Sequence, residues 1–138
     1  VMIASPLNMA RMVSIVANNG NLVSTRYLYG ENANIIKCME ANNSDILREY
    51  MCAESEGHPA TRNYAQSIGM GGKTGTPTRI ISNRGNKNDG WYICFFNSKE
   101  GKLALALRIE QCGSSAVATR WINEVIMPAL KDIGYVNY

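Results

Sequence analysis

The segment that most constrains this chain is Gly-Gly-Lys-Thr-Gly-Thr-Pro at residues 71–77. The Lys73 ammonium and the hydroxyls of Thr74 and Thr76 are all able to donate hydrogen bonds to a carboxylate. Gly75 has no Cβ, so the backbone of a ligand can approach the chain closely at that position. The pattern therefore predicts an extended segment that holds an anionic ligand alongside it.

Two other interpretations of this segment are open. A phosphate-binding loop needs a glycine five positions before Gly72, where this chain has Ser67, and a helix that begins at Lys73. Gly75 and Pro77 follow at once and are poor residues for a new helix, which disfavours such a loop. An ordinary glycine-rich turn that leads into a strand is the second alternative.

Composition narrows the class of protein. With 138 residues, 46 % apolar and 18 % charged, the chain is globular and forms one domain or a large part of one. A net charge of +3 without a run of basic residues gives no reason to expect a nucleic-acid partner. No apolar run approaches the ~20 residues of a membrane span. The absence of a signal-peptide pattern and the immediate start of a helix favour a piece of a longer chain.

Metal, cofactor and disulfide chemistry are not indicated. The four cysteines contain no Cys-x-x-Cys pair and are too sparse for a disulfide scaffold, so buried free thiols are expected. The single histidine, His58, lies in a glycine- and proline-containing loop and lacks the partners of a zinc site or a hydrolytic triad. We expect no metal and no cofactor.

The first half of the chain is predicted to be mainly helical. Ser5 followed by Pro6 is a strong helix start, and Gly20 is a natural left-handed cap for that helix. Residues 21–29 alternate well enough for a short strand. Residues 35–53 follow a helical pattern that is broken at residues 42–44, where Ser44 is predicted to cap a second short helix.

The second half is predicted to form strands followed by a helix. Residues 91–96 are apolar on both faces, and residues 102–110 alternate between large and small side chains. The small face, formed by Ala104 and Ala106, is predicted to pack against the last helix. That helix begins at Ser114 or Ser115, is kinked or split by Pro128, and carries core residues that include Trp121. Trp91 and Phe95 are likewise predicted core residues. The expected class is α+β, with an antiparallel sheet flanked by helices.

Several motifs occur in an order that resembles a known family. They are Ser-Pro-Leu-Asn-Met-Ala at 5–10, Ile-Val-Ala-Asn-Asn-Gly at 15–20, Gly-Lys-Thr-Gly-Thr at 72–76, Gly-Trp-Tyr-Ile-Cys-Phe-Phe at 90–96 and Leu-Ala-Leu-Ala-Leu at 103–107. Together they resemble the C-terminal half of penicillin-binding protein transpeptidase domains, and residues 72–76 resemble the third active-site motif of that family. The resemblance implies part of the serine β-lactamase/penicillin-binding protein transpeptidase fold. Residues 1–63 would be its helical segment, and 64–138 its sheet strands and C-terminal helix.

The resemblance also shows what this chain does not contain. The family uses a nucleophilic serine in Ser-x-x-Lys and a second motif, Ser-x-Asn. No serine in this sequence has lysine three positions later or asparagine two positions later. The resemblance therefore implies that the chain by itself neither turns over substrate nor becomes acylated. The loop at residues 57–58 departs from the family as well, since relatives often carry Gly-Thr where this chain has Gly-His.

The resemblance assigns roles to four residues. Lys73 and Thr76 would be catalytic, with the Thr76 N–H as one oxyanion donor. Lys73, Thr74, Gly75 and Thr76 would bind the substrate, a peptidoglycan stem peptide ending in D-Ala-D-Ala, or a β-lactam that mimics it. The implied function is acyl transfer in peptidoglycan cross-linking.

The resemblance also implies partners and a location. The upstream half of the same domain would be a partner, the parent protein would lie at the extracytoplasmic or periplasmic face of the membrane behind an N-terminal anchor, and the fragment would self-associate. The alternative is a non-catalytic β-lactam or peptidoglycan sensor, or a scaffold domain of the same fold.

Overall fold

The computed structural model describes residues 4–28, 30–81 and 85–138. Its helices are α1 (Pro6–Ala17), α2 (Ala41–Gly57), α3 (Ser115–Trp121) and α4 (Met127–Asp132), and a π-helical turn (Ile122–Ile126) joins α3 to α4. Its strands are β1 (Asn21–Val23), β2 (Ile35–Lys37), β3 (Gly71–Gly75), β4 (Thr78–Ile81), β5 (Gly85–Asn88), β6 (Gly90–Ser98) and β7 (Gly101–Ile109). Within the described ranges, no helix is long and apolar enough to cross a membrane.

The main sheet has three antiparallel strands in the order β3-β6-β7. Strand β6 is central, as expected for a segment that is apolar on both faces, and it is joined to β7 by a tight hairpin at residues 98–101. Two small antiparallel pairs, β1-β2 and β4-β5, complete the sheets. The predicted α+β class with an antiparallel sheet and flanking helices is confirmed.

The main sheet is covered on both faces. One face packs with α3 and α4 through Tyr92, Cys94 and Phe96, whose side chains are buried with Ile122 and Met127. Burial raises the pKa of the Cys94 thiol to about 12, so this thiol is neutral at physiological pH.

The other face of the main sheet packs on α1. Val13 and Val16 of α1 are buried in one cluster with Phe95, and Ala104 and Ala106 of β7 pack against this cluster. The prediction that the alanine face meets the last helix is therefore wrong. The leucines of β7 meet that helix, and the alanines allow α1 to approach the sheet closely.

The first half of the chain differs from the prediction in two places. The predicted strand at 21–29 forms only over β1, with residue 29 outside the described residues, and residues 35–37 form β2 instead of beginning a helix. Helix α2 is then continuous through residues 42–44. Ser44 does not cap a helix, because its buried hydroxyl donates to the Val16 carbonyl oxygen at 2.9 Å and so ties α2 to α1.

The last helix confirms one prediction and corrects another. The last helix is divided just before Pro128, as predicted. At this point the Met127 N–H donates a hydrogen bond to the Ile122 carbonyl oxygen, five residues earlier. Proline disturbs a regular α-helix because it lacks an N–H and its ring crowds the preceding turn. The wider π-turn before Pro128 accommodates this change. The prediction of a buried Trp121 is wrong, since this side chain is 48 % exposed. Ala118, Ile122 and Met127 face the core instead.

Candidate functional site

The predicted binding segment lies at the edge of the main sheet. Strand β3 pairs with β6 through the register Lys73 to Ile93 and Gly75 to Trp91, and no described strand pairs with its other edge. Lys73 and Thr76 are exposed, and Gly75 is half-buried. The extended conformation confirms the strand prediction. It excludes a phosphate loop, because another strand, not a helix, follows residue 77.

The glycines of β3 fall into two kinds. A Cβ on Gly72 would lie 2.2 Å from the Tyr92 hydroxyl oxygen, and one on Gly71 would lie 2.3 Å from the Phe95 ring. These two glycines therefore let the strand lie directly on buried aromatic rings. A Cβ on Gly75 would make only an ordinary contact, 3.6 Å from the Trp91 Cβ, so glycine at 75 is not required by packing within the described chain.

The Tyr92 side chain lies between β3 and α2. Its hydroxyl lies 3.3 Å from the Ser55 Oγ of α2, and the Ser55 carbonyl oxygen accepts a hydrogen bond from Thr61 at 2.7 Å. Burial is the main cause that raises the pKa of Tyr92 to about 12, so the hydroxyl remains a neutral donor or acceptor. The contact fixes the distance between α2 and the Gly72 backbone.

The carboxylate of Glu54, in α2, contacts two hydrogen-bond donors of β3, Lys73 and Thr74. Glu54 Oε2 is 2.7 Å from the Lys73 ammonium, and Glu54 Oε1 accepts a hydrogen bond from the Thr74 hydroxyl at 3.3 Å. Lys73 Nζ is also 3.4 Å from the Thr74 Oγ1. Sequence reasoning missed Glu54, since it lies in a different element and only the packing of α2 on β3 brings it to the site. No spacing rule in the sequence signals that contact.

Thr76 contacts the start of the last helix. Its Oγ1 accepts a hydrogen bond from the Ser115 N–H at 3.0 Å. Ser114 is the residue that precedes α3, as one of the two predicted alternatives had it, but its own side chain makes no capping bond. A hydroxyl that accepts one hydrogen bond can still donate its own proton to a ligand. Thr76 therefore links the end of β3 to α3 and keeps its donor capacity.

A buried ion pair supports the far end of the site. Asp89 is 2 % exposed and accepts hydrogen bonds from Arg108 at 2.7 and 3.1 Å and from the Gln111 N–H at 2.9 Å. The Asp89 N–H in turn donates to the Pro77 carbonyl oxygen at 3.0 Å. The pair thus connects the residues just after Thr76 to the end of β7.

The structure brings the four predicted residues into one continuous stretch. Lys73, Thr74 and Gly75 form the C-terminal part of β3, and Thr76 follows directly. Over residues 4–28, 30–81 and 85–138, no group of three or more potential metal ligands comes together. The arrangement offers an ammonium and two hydroxyls along an edge of β3 with which no strand in the described part of the chain pairs.

Comparisons with solved structures show the same fold. The transpeptidase domain of penicillin-binding protein 3 from Burkholderia pseudomallei is 13 % identical with a TM-score of 0.72, over 94 % of this chain and 43 % of that one. Penicillin-binding protein 2B from Streptococcus pneumoniae is 14 % identical with a TM-score of 0.70, over 97 % of this chain and 26 % of that one. Penicillin-binding protein A from Mycobacterium tuberculosis, as a ceftriaxone acyl-enzyme complex, is 20 % identical with a TM-score of 0.64, over 91 % of this chain and 32 % of that one. This chain therefore spans less than half the length of these structures.

A family model gives the assignment that these distant structural likenesses cannot give alone. No curated protein sequence matches the chain. The model of the penicillin-binding protein transpeptidase domain, however, matches residues 2–127, which is nearly the whole sequence. The chain belongs to the penicillin-binding protein transpeptidase domain family.

Proposed function

We propose that this chain is the C-terminal part of a D,D-transpeptidase domain that cross-links peptidoglycan, and that it supplies one of the three active-site motifs. The observation that carries the proposal is the position of Lys73, Thr74 and Gly75 on a strand, β3, whose second edge pairs with none of the described strands, with Thr76 next in the chain. A stem peptide ending in D-Ala-D-Ala, or a β-lactam, would lie along this edge as an added strand.

Each residue has a separate task in this reaction. The hydroxyls of Thr74 and Thr76 bind the terminal carboxylate, and the Lys73 ammonium keeps the site positive. The Thr76 N–H donates to the oxyanion that forms when a serine from the upstream half attacks the penultimate carbonyl carbon. The terminal D-alanine leaves with a proton, and the amine of a neighbouring stem resolves the acyl-enzyme. A donor of this kind typically contributes about 2.7–4 kcal/mol to lowering the barrier.

The chain alone is expected to be inactive toward penicillin. No serine in the sequence has the spacing of the family nucleophile, so no covalent adduct can form at a catalytic serine. We expect no label on the purified chain after incubation with a fluorescent penicillin, checked by gel fluorescence and intact mass. A complete penicillin-binding transpeptidase domain in the same assay serves as the positive control. A penicilloyl adduct mapped to a serine of this chain contradicts the proposal.

The upstream half of the domain is the proposed partner for an exposed apolar surface. Ile46, Leu47 and Tyr50 form one side of α2, and all three are exposed although they are large and apolar. We call them the α2 face. Contiguous apolar surface of this kind is typical of an interface. In the parent protein the α2 face would pack against the upstream half, and the parent would act on the extracytoplasmic side of the membrane.

Self-association is the expected behaviour when the upstream half is missing. We expect the apparent mass of the chain to rise with concentration in multi-angle light scattering, because a second copy can cover the α2 face. Ile46→Glu should shift the chain toward monomer. Ala41→Glu is the matched control, since it adds the same charge at an exposed position of α2 that lies on another side of the helix from the α2 face. A monodisperse monomer at high concentration, or equal effects of both variants, would rule out the α2 face as the contact.

A further inference from the structure

Glu54 occupies the donors that the proposed function assigns to the ligand. Its two carboxylate oxygens are divided between the Lys73 ammonium, at 2.7 Å, and the Thr74 hydroxyl, at 3.3 Å. The side chain of Glu54 is 27 % exposed and that of Lys73 is 59 % exposed, so solvent and a ligand can reach the pair. Glu54 thus occupies the Thr74 hydroxyl, which the proposed function assigns to the terminal carboxylate of a stem peptide, and it neutralises the Lys73 ammonium that keeps the site positive.

The two donors differ in how many protons they can share. Lys73 carries three ammonium protons, and it can bind Glu54 and a second carboxylate at once. Thr74 has one hydroxyl proton, and an ionised carboxylate can only accept, so that proton is directed at Glu54 Oε1. A ligand carboxylate can bind Thr74 only if Glu54 gives up this hydrogen bond. A ligand carboxylate next to Thr74 would also be repelled by the negative charge of Glu54.

We propose that Glu54 is a specificity-determining residue that competes with the ligand carboxylate for Lys73 and Thr74. This inference rests on the proposed function, because it assumes that these donors bind an anionic peptide end. In the free chain Glu54 neutralises the strand edge. When a carboxylate binds, Glu54 must move away from Thr74, and the affinity for an anionic end is lower than the donors alone would provide.

A positioning role for Glu54 makes the opposite prediction. If the carboxylate served only to orient the Lys73 ammonium toward the ligand, its removal would weaken binding. The two roles therefore predict opposite changes in the affinity for an anionic ligand when the charge of Glu54 is removed. Glu54→Gln keeps the size of the side chain and removes its charge, so it separates them. Glu56→Gln is the matched control, because Glu56 is an exposed residue of the same helix and its loss changes the net charge by the same amount.

The experiment uses the 138-residue chain and two probe peptides. One is diacetyl-L-lysyl-D-alanyl-D-alanine with a free carboxylate, and the other is the same peptide with a terminal carboxamide. Binding is followed through the amide signals of Thr74, Gly75 and Thr76 in nitrogen–proton correlation spectra. We expect Glu54→Gln to tighten binding of the carboxylate peptide about twofold to fivefold, the range for a half-exposed ion pair. Binding of the carboxamide peptide should not change, and Glu56→Gln should match the wild type.

The outcomes separate this inference from the proposed function. If neither protein prefers the carboxylate to the carboxamide peptide, the proposed function fails and the inference fails with it. If both prefer the carboxylate and Glu54→Gln binds it equally or more weakly, only the inference fails. Glu54 belongs to neither core, so we expect Glu54→Gln and a second variant, Glu54→Ala, to fold. Unfolding of both by circular dichroism would show a structural requirement and overturn the inference.

Discussion

Replacing Arg108 with alanine is expected to lower the free energy of unfolding by about 3 kcal/mol. The variant removes the guanidinium that pairs with the 2 %-exposed Asp89 carboxylate, and loss of one member of a buried ion pair typically costs about 3–5 kcal/mol. The lower end applies here because the Gln111 N–H still donates to Asp89. Arg108 also lies over the Trp91 ring, 5.7 Å from its centroid, and this contact is lost as well. Urea unfolding followed by circular dichroism measures the change.

The control for Arg108→Ala is Glu110→Gln. Glu110 also contacts the Arg108 guanidinium, at 3.1 Å, but its side chain is 56 % exposed. Exposed ion pairs contribute about 0.2–1 kcal/mol, so we expect a change of less than about 1 kcal/mol. Equal destabilisation by the two variants would show that burial of Asp89 is not what makes the pair important. If Arg108→Ala lowers the free energy of unfolding by well below 1 kcal/mol, the buried pair is likewise not important for stability.

Gly72→Ala is expected to destabilise the chain by about 3 kcal/mol, whereas Gly75→Ala is expected to change stability by less than about 1 kcal/mol. The new methyl at 72 would lie 2.2 Å from the Tyr92 hydroxyl oxygen and 3.0 Å from the Ser55 Oγ. Tyr92 is fully buried and its hydroxyl contacts Ser55 and Met70, so we expect the upper end of the usual 1–3 kcal/mol cost of overpacking. At 75 the nearest described atom outside the neighbouring residues is 3.6 Å away.

The two glycine variants also separate folding from binding. Gly75→Ala should keep the fold and weaken binding of the carboxylate probe peptide, because the proposed function brings the ligand backbone close to the strand at residue 75. Thermal unfolding and the peptide titration are measured on the same samples. A Gly75→Ala protein that binds as the wild type does would argue against ligand addition along this edge. A Gly72→Ala protein as stable as the wild type would mean that Tyr92 can be displaced.

The two long strands β6 and β7 followed from the sequence because the local pattern has one solution there. The segment at 91–96 is apolar on both faces, which favours the centre of a sheet that is covered on both sides, where β6 lies. The position of Lys73 to Thr76 on an extended segment also followed from local rules, since Gly75 and Pro77 oppose a helix.

Other features could not be predicted because they depend on contacts distant in sequence. The last helix carries two adjacent apolar stripes, one with Trp121 and one with Ile122, and periodicity alone cannot decide which is buried. The same holds for Ser44, a residue type favoured at helix starts, which is instead placed inside a helix by its bond to Val16. Glu54 reaches the site only because α2 packs on β3, so no single stretch of sequence contains that information.

The π-turn before Pro128 has a consequence for the spacing of the helix that follows it. An α-helix turns by about 100° per residue, so one additional residue in a turn advances the remainder of the helix by that angle. Ala118 and Ile122 are four residues apart and both buried, and the next fully buried side chain, Met127, comes five residues later. The extra residue in the π-turn therefore places Met127 on the same side of the helix as Ala118 and Ile122, the side that faces the sheet. Comparison of such helices by a fixed heptad or 3.6-residue count would therefore misalign every position after Ile126.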